Sequence, residues 1–108
     1  MTEITFRRLN KKIVSFNIDG HSGYGEEGSD IICAAISAIS LTIVNGIQVI
    51  QKMRIKPTVK DGFLSLDITN LSDKEINDCQ ILMETMLLGF KSVEIEYDEY
   101  VIVKEEEV

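Results

Sequence analysis

The chain has 108 residues, 44% of them apolar and 27% charged, with a formal net charge of −7 at pH 7. That length suits one domain over residues 1–108, and that composition excludes a disordered chain. The negative charge argues against a direct nucleic-acid partner, which asks for a basic surface, and leaves a basic polypeptide as the natural electrostatic partner.

The opening Met1-Thr2-Glu3-Ile4-Thr5 lacks the basic and apolar regions of a signal peptide, and two cysteines are too few for a disulfide framework. A reducing, cytoplasmic setting is the expectation. Ile4 and Phe6 alternate with Thr5 and Arg7, and Val14, Phe16 and Ile18 alternate with Ser15, Asn17 and Asp19. Period-two patterning predicts two strands, each with one buried face, joined by a turn at Asn10-Lys11-Lys12. A glycine-dense loop follows, with Gly20, Gly23, Gly25 and Gly28. A helix then starts near Ser29 or Asp30, both good N-cap types, and runs towards Asn45-Gly46, which ends or weakens it before Gln51. The stretch from Ile31 to Ile50 is apolar enough to raise a membrane span. Ser37, Ser40, Thr42, Asn45, Gly46 and Gln48 interrupt it, so a helix buried in a small protein or across a dimer interface is expected instead, with no membrane partner.

A second hairpin is predicted from Met53 and Ile55, through an Asp61-Gly62 turn, to Leu64, Leu66 and Ile68. Pro57 cannot donate a ladder hydrogen bond, which places an edge there. Ser72 and Glu75 form a capping box, with Leu71 and Ile76 as its hydrophobic staple. Ile76, Cys79, Met83, Met86, Phe90, Val93 and Tyr97 then recur at spacings of three and four, the stripe of one long helix. Tyr100 to Lys104 suits a last short strand, and Glu105-Glu106-Glu107 reads as a solvated tail. The fold class is α+β, a two-layer α/β sandwich of order ββαββα: a mostly antiparallel sheet with two helices on one face and room for a short C-terminal strand.

The chemistry concentrates between Gly20 and Ser37. Cys33 falls in the first turn of the apolar helix, where unpaired N–H groups and the dipole favour an anion, so it is a candidate nucleophile. The competing reading is a small buried hydrophobe. His21, the single histidine, ends the second strand one loop away and is the candidate base; a plain surface histidine is its alternative. Asp30 either orients His21 or caps the helix, and direct contact with Cys33 is not expected, because a carboxylate beside a thiol opposes thiolate formation. Ser37, one turn beyond Cys33, is a supporting candidate, as are the loop residues Gly20, Ser22 and Gly23, although Ser22 and Ser29 carry no distinguishing chemistry of their own. Cys79 lies on the apolar stripe and reads as core. The chain has no CxxC and no paired histidines, and the loop matches no phosphate-binding glycine pattern, so neither a metal nor a cofactor is expected.

Gly20-His21-Ser22-Gly23-Tyr24 and Gly28-Ser29-Asp30-Ile31-Ile32-Cys33-Ala34-Ala35-Ile36-Ser37 together resemble the ribosomal-processing cysteine protease family, Prp. The resemblance extends through Asn45-Gly46, Leu87-Leu88-Gly89-Phe90 and Glu96-Tyr97-Asp98-Glu99-Tyr100-Val101, and so over nearly the whole chain. It implies a cysteine endopeptidase that removes the N-terminal extension of a bacterial large-subunit ribosomal protein, number twenty-seven. It further implies His21 and Cys33 as the catalytic dyad, a homodimer, and a loop between the dyad residues that rearranges on substrate binding. Asp98 departs from the family pattern, which often has proline there; this touches only the last turn, far along the chain from the dyad. With that chemistry, backbone N–H groups around Cys33 are the expected oxyanion donors, and Glu26, Glu27 and Asp30 are expected to attract a basic substrate segment. A non-catalytic ribosomal-protein binding or assembly factor is the competing function, and a redox sensor using Cys33 and Cys79 a third.

Overall fold

Strands β1 (Thr2–Leu9) and β2 (Lys12–Asp19) pair antiparallel from Glu3↔Asp19 to Leu9↔Lys12. Asn10 and Lys11 both take positive φ in the tight turn between them, as a two-residue hairpin requires. The register shifts by one residue between Arg7 and Arg8, so Val14 bulges. Ile13 and Val14, neighbours that simple alternation would send to opposite faces, are therefore both buried. The computed structural model describes residues 1–25 and 30–108; Glu26, Glu27, Gly28 and Ser29 lie outside the described residues.

Helix α1 (Ile31–Asn45) is capped by Asp30 and continues into a single π-helical turn, Gly46–Ile50. Met53 and Ile55 are buried as anticipated, but not in a strand. The sheet resumes only at β3 (Thr58–Lys60), beyond Pro57, and returns as β4 (Phe63–Asp67). Lys52 at φ 56 redirects the chain after the π turn, and Pro57 withholds an N–H from any ladder, so the apolar alternation of Met53 and Ile55 is spent on packing rather than pairing.

The capping box forms in both directions: the Glu75 N–H donates to Ser72 Oγ (3.2 Å) and the Ser72 N–H to Glu75 Oε1 (3.1 Å). The long helix that the stripe predicts is broken into α2 (Asp73–Asp78) and α3 (Gln80–Glu96) by Cys79, at φ −97 and ψ 1. The break lets Gln80 serve β2, accepting from the Ile13 N–H and donating to the Ile13 carbonyl, both at 2.8 Å. The apolar stripe survives it, because Ile76, Cys79, Met83, Met86 and Phe90 all stay buried.

The closing strand β5 (Val101–Glu107) is longer than expected and runs parallel to β1, from Thr2↔Val101 to Arg8↔Glu107. The supposed acidic tail is thus part of the sheet. Its carboxylates find cations that local sequence does not reveal: Glu106 pairs with Arg7 (3.4 Å), and Glu105 with Arg8 (3.0 Å) and Lys91 (2.8 Å). Strand order is β3-β4-β2-β1-β5, mixed but mostly antiparallel, with β3 at one edge. The helices cover one face, where Phe6 packs against Phe16 and Phe90. The other face carries Glu3, Arg7, Asn17, Asp67 and Lys104. β2 therefore ends in the middle of the sheet and α1 begins beside that end, which sets the site.

Candidate active site

Gly20 follows β2 at φ +94, and a Cβ there would lie 2.7 Å from the Met1 carbonyl oxygen. Its N–H donates to the Gly62 carbonyl (2.8 Å), which fixes the point where the chain leaves the sheet. His21 follows, exposed, with its imidazole against the Asp61–Gly62 turn. Nε2 is 4.0 Å from Asp61 Oδ1 and 2.8 Å from the place a Gly62 Cβ would occupy. Gly62 has φ +66, so the same absent side chain that permits the turn also leaves room for the ring.

Across the gap, Asp30 gathers four donors among the described residues. Its Oδ1 accepts from the N–H groups of Ile32 (3.0 Å) and Cys33 (3.1 Å), the geometry of an N-cap. Its Oδ2 accepts from the Ser22 hydroxyl and from the Cys33 thiol, the latter at 3.3 Å. The expectation that Asp30 would avoid Cys33 is overturned: the cap geometry that satisfies the first amides swings the second oxygen onto the sulfur three residues along the same turn. Burial pushes the Asp30 carboxyl up, but hydrogen bonds from the Ser22 hydroxyl, the Cys33 amide and thiol and the Ile32 amide outweigh it and hold it below its ordinary value.

This has two consequences for the oxyanion expectation. The Ile32 and Cys33 amides are committed to Asp30 Oδ1, and the Ala34 N–H to the Asp30 carbonyl (3.1 Å). The first-turn donors proposed for an oxyanion are therefore occupied within the helix itself. The Asp30 carboxylate is also turned inward, away from the role of attracting a basic segment; Glu26 and Glu27 lie outside the described residues.

Ser22, a supporting candidate with no distinguishing chemistry in the sequence, is 2% exposed and central. Its N–H donates to Cys33 Sγ (3.4 Å), and its hydroxyl oxygen accepts from the Tyr24 N–H (3.1 Å). Tyr24 packs edge-on against Tyr97 and Tyr100, at centroid separations of 5.8 and 5.2 Å. The turn around Asp98, distant in sequence, therefore lies against the segment between His21 and Cys33. Gly23 has φ +77, and a Cβ there would meet nothing within 4 Å among the described residues.

His21 and Cys33 line one groove of about 240 Å³, together with Gly20 and Ser37. Among the described residues the hydrogen bonds of Cys33 Sγ run to Ser22 and Asp30 rather than to His21. Asp30 is thus a cap and a thiol partner, and among the described residues Asp61 is the carboxylate nearest the ring. The groove's apolar flank comes from Ile36, Leu41, Val59, Phe63 and Leu64, with Lys60 and Asp61 among its lining residues. Thr2 also lines it, and its buried Oγ1 has no partner among the described residues. The Asp-Gly turn signal was legible in sequence, but nothing local said that the turn would receive the histidine. Cys79 is fully buried, its thiol pushed up by that burial, and belongs to the core. Among the described residues no group of three metal-ligating side chains occurs.

The family model described as cysteine protease Prp matches residues 1–102. A ribosomal processing cysteine protease Prp of Staphylococcus aureus is 32% identical over 82% of this chain and 82% of its own. Its Bacillus subtilis namesake is 28% identical over 90% of each. Among solved structures, a Streptococcus mutans protein is 31% identical and superposes with a TM-score of 0.87, covering 100% of this chain and 96% of its own. The S. aureus ribosomal processing protease Prp, solved with a covalently linked product peptide, gives a TM-score of 0.86 at 27% identity, with coverages of 97% and 99%.

Proposed function

The chain belongs to the Prp family of cysteine proteases, and from that premise we propose that Cys33 and His21 carry its peptide cleavage, on the N-terminal extension of a bacterial large-subunit ribosomal protein, number twenty-seven. The observation that supports this most is the shared groove: the exposed imidazole and the thiol at the head of α1 line one cleft with an apolar flank able to take an extended peptide. The curated relatives are named for ribosomal processing, which supports the substrate class.

In this reading the Cys33 thiol gives its proton to the His21 imidazole, and the sulfur attacks the scissile carbonyl carbon. The imidazolium then protonates the departing amine as the C–N bond breaks, leaving a thioester. Water adds to that thioester, giving its proton to His21, and the carboxylate product leaves as the thiol is restored. The step requires the ring to turn from the Asp61–Gly62 turn towards Cys33, a rotation its exposed position permits.

The reading includes a cytoplasmic homodimer. Ile81, Leu88 and Ile95 are 79%, 66% and 83% exposed at a spacing of seven, so they lie along one line of α3. A second copy is the natural cover for such a stripe.

Incubation with the extended ribosomal protein, with product termini read by mass spectrometry, is the test. The parent should generate one new N-terminus under reducing conditions. Cys33→Ser and His21→Ala should each remove that product, by at least about 10³-fold in rate, with the fold retained. A folded Cys33→Ser variant that still cleaves at the parental rate would overturn the assignment.

A further inference from the structure

A thiol meant to ionise sits here beside a carboxylate, and that arrangement needs a compensating device. Asp30 Oδ2 accepts from the Cys33 thiol at 3.3 Å, and a carboxylate beside a thiol opposes thiolate formation. Two groups of one residue oppose this. The Ser22 hydroxyl donates to the same Oδ2, and the Ser22 N–H donates to Cys33 Sγ at 3.4 Å. Ser22 is 2% exposed, so water does not substitute freely for either contact. The hydroxyl is itself oriented, because its oxygen accepts from the Tyr24 N–H and its proton is thereby directed to Asp30.

We propose that Ser22 is a positioning residue that makes Cys33 reactive: its hydroxyl takes up charge on Asp30 Oδ2 that would otherwise retain the thiol proton, while its N–H supports the sulfur once that proton has left. The proposal rests on the reading of Cys33 as the nucleophile. Ser22 also follows His21 directly, so the same bracket ties the end of the histidine-bearing segment to the head of α1. Asp30 is then tolerated next to the thiol because its four donors disperse its charge. It keeps its cap without locking the proton on sulfur.

The test reads thiol reactivity independently of proteolysis. Iodoacetamide alkylates the thiolate, forming an S–C bond as iodide leaves, and peptide mapping by mass spectrometry assigns the product to Cys33 rather than to the buried Cys79. At neutral pH, Ser22→Ala should slow Cys33 alkylation by roughly three- to tenfold, the range one hydrogen bond commands. It should lower kcat for cleavage by a similar factor with KM little changed, while Ser22→Thr, which keeps the hydroxyl, restores both. An unchanged or faster alkylation in folded Ser22→Ala overturns the proposal.

Asp30→Asn supplies a second arm that does not depend on the stability of the alanine variant. The side-chain carbonyl can still cap the helix, but the charge is gone, so alkylation should accelerate; no change, or a slower rate, overturns the proposal. In the Asp30→Asn background Ser22→Ala should lose its effect, and equal effects in both backgrounds would show that the hydroxyl does not act through Asp30. Should Cys33 prove not to be the nucleophile, cleavage by Cys33→Ser would reveal it while the alkylation results still stand or fall by themselves.

Discussion

Among the described residues four donors converge on Asp30, and none of these comes from His21. A residue so placed is a cap first, because an unpaired amide at a helix start costs more than a thiol contact gains. The imidazole is instead seated by what Gly62 lacks. Gly62→Ala would put a methyl carbon 2.8 Å from Nε2 at a backbone φ of +66. The strain should cost about 1 kcal/mol of stability. The ring should be driven from the seat out of which it turns towards Cys33, and cleavage should fall on the order of tenfold, because misplacement of a proton carrier is felt steeply. A melting curve paired with kcat/KM checks this. Parental kinetics with the expected loss of melting temperature would show that the seat has no part in catalysis. That Cys33 would stand at a helix head, one loop from His21, was legible from residue type and loop context. The roles of Ser22, Asp61 and Gly62 were not, since each depends on a neighbour from another element.

Among elements, β5 is the instructive case. Its three closing glutamates look like a solvated tail, but Arg8 on β1 binds Glu84 on α3 through two bonds of 2.8 and 2.9 Å and Glu105 on β5 at 3.0 Å. The Arg8 hydrogen bond holds the Glu84 carboxyl below its ordinary value against the opposing effect of burial. Hydrogen bonds from Lys91 and then Arg8 do the same for Glu105. Carboxyls depressed in the folded state bind more protons when unfolded, so this stability is fully present above the unfolded value of 4.5 and is lost as the pH falls through the lower folded values. Arg8→Ala should cost about 1–2 kcal/mol near neutral pH, a modest figure because both carboxylates keep substantial contact with solvent. The difference in melting temperature from the parent should shrink as the pH is taken down towards about 3. A difference constant over that range would mean that Arg8 acts through packing alone.

At the scale of the whole molecule, the apolar line on α3 is a feature a single copy leaves unexplained. Sedimentation at micromolar concentration should give the mass of a dimer. Leu88→Glu, which puts a charge at the middle of the Ile81–Leu88–Ile95 line, should give a monomer with its melting transition retained. A parental chain that sediments as a monomer would remove the dimer from the reading. In the sequence the apolar excess that pointed to a dimer lay on the first helix, whereas the exposed line found here is on α3. Which apolar residues the sheet would consume was not legible there, because that depends on how α1 and α3 divide one face between them.

By itself the sequence determined what depends on near neighbours. The first hairpin follows from alternation, the start of α2 from its capping box, and the burial of the second-helix stripe from its three-four spacing. The cysteine at a helix head followed from an N-cap residue three positions before it. Only the tertiary structure decided the break at Cys79, the parallel pairing of β5, the aromatic contact between Tyr24 and the Asp98 turn, and the convergence of Ser22, Asp30 and Cys33. Each of these balances a local preference against a partner brought from far along the chain, and the free energy of that partner cannot be read until the fold has placed it.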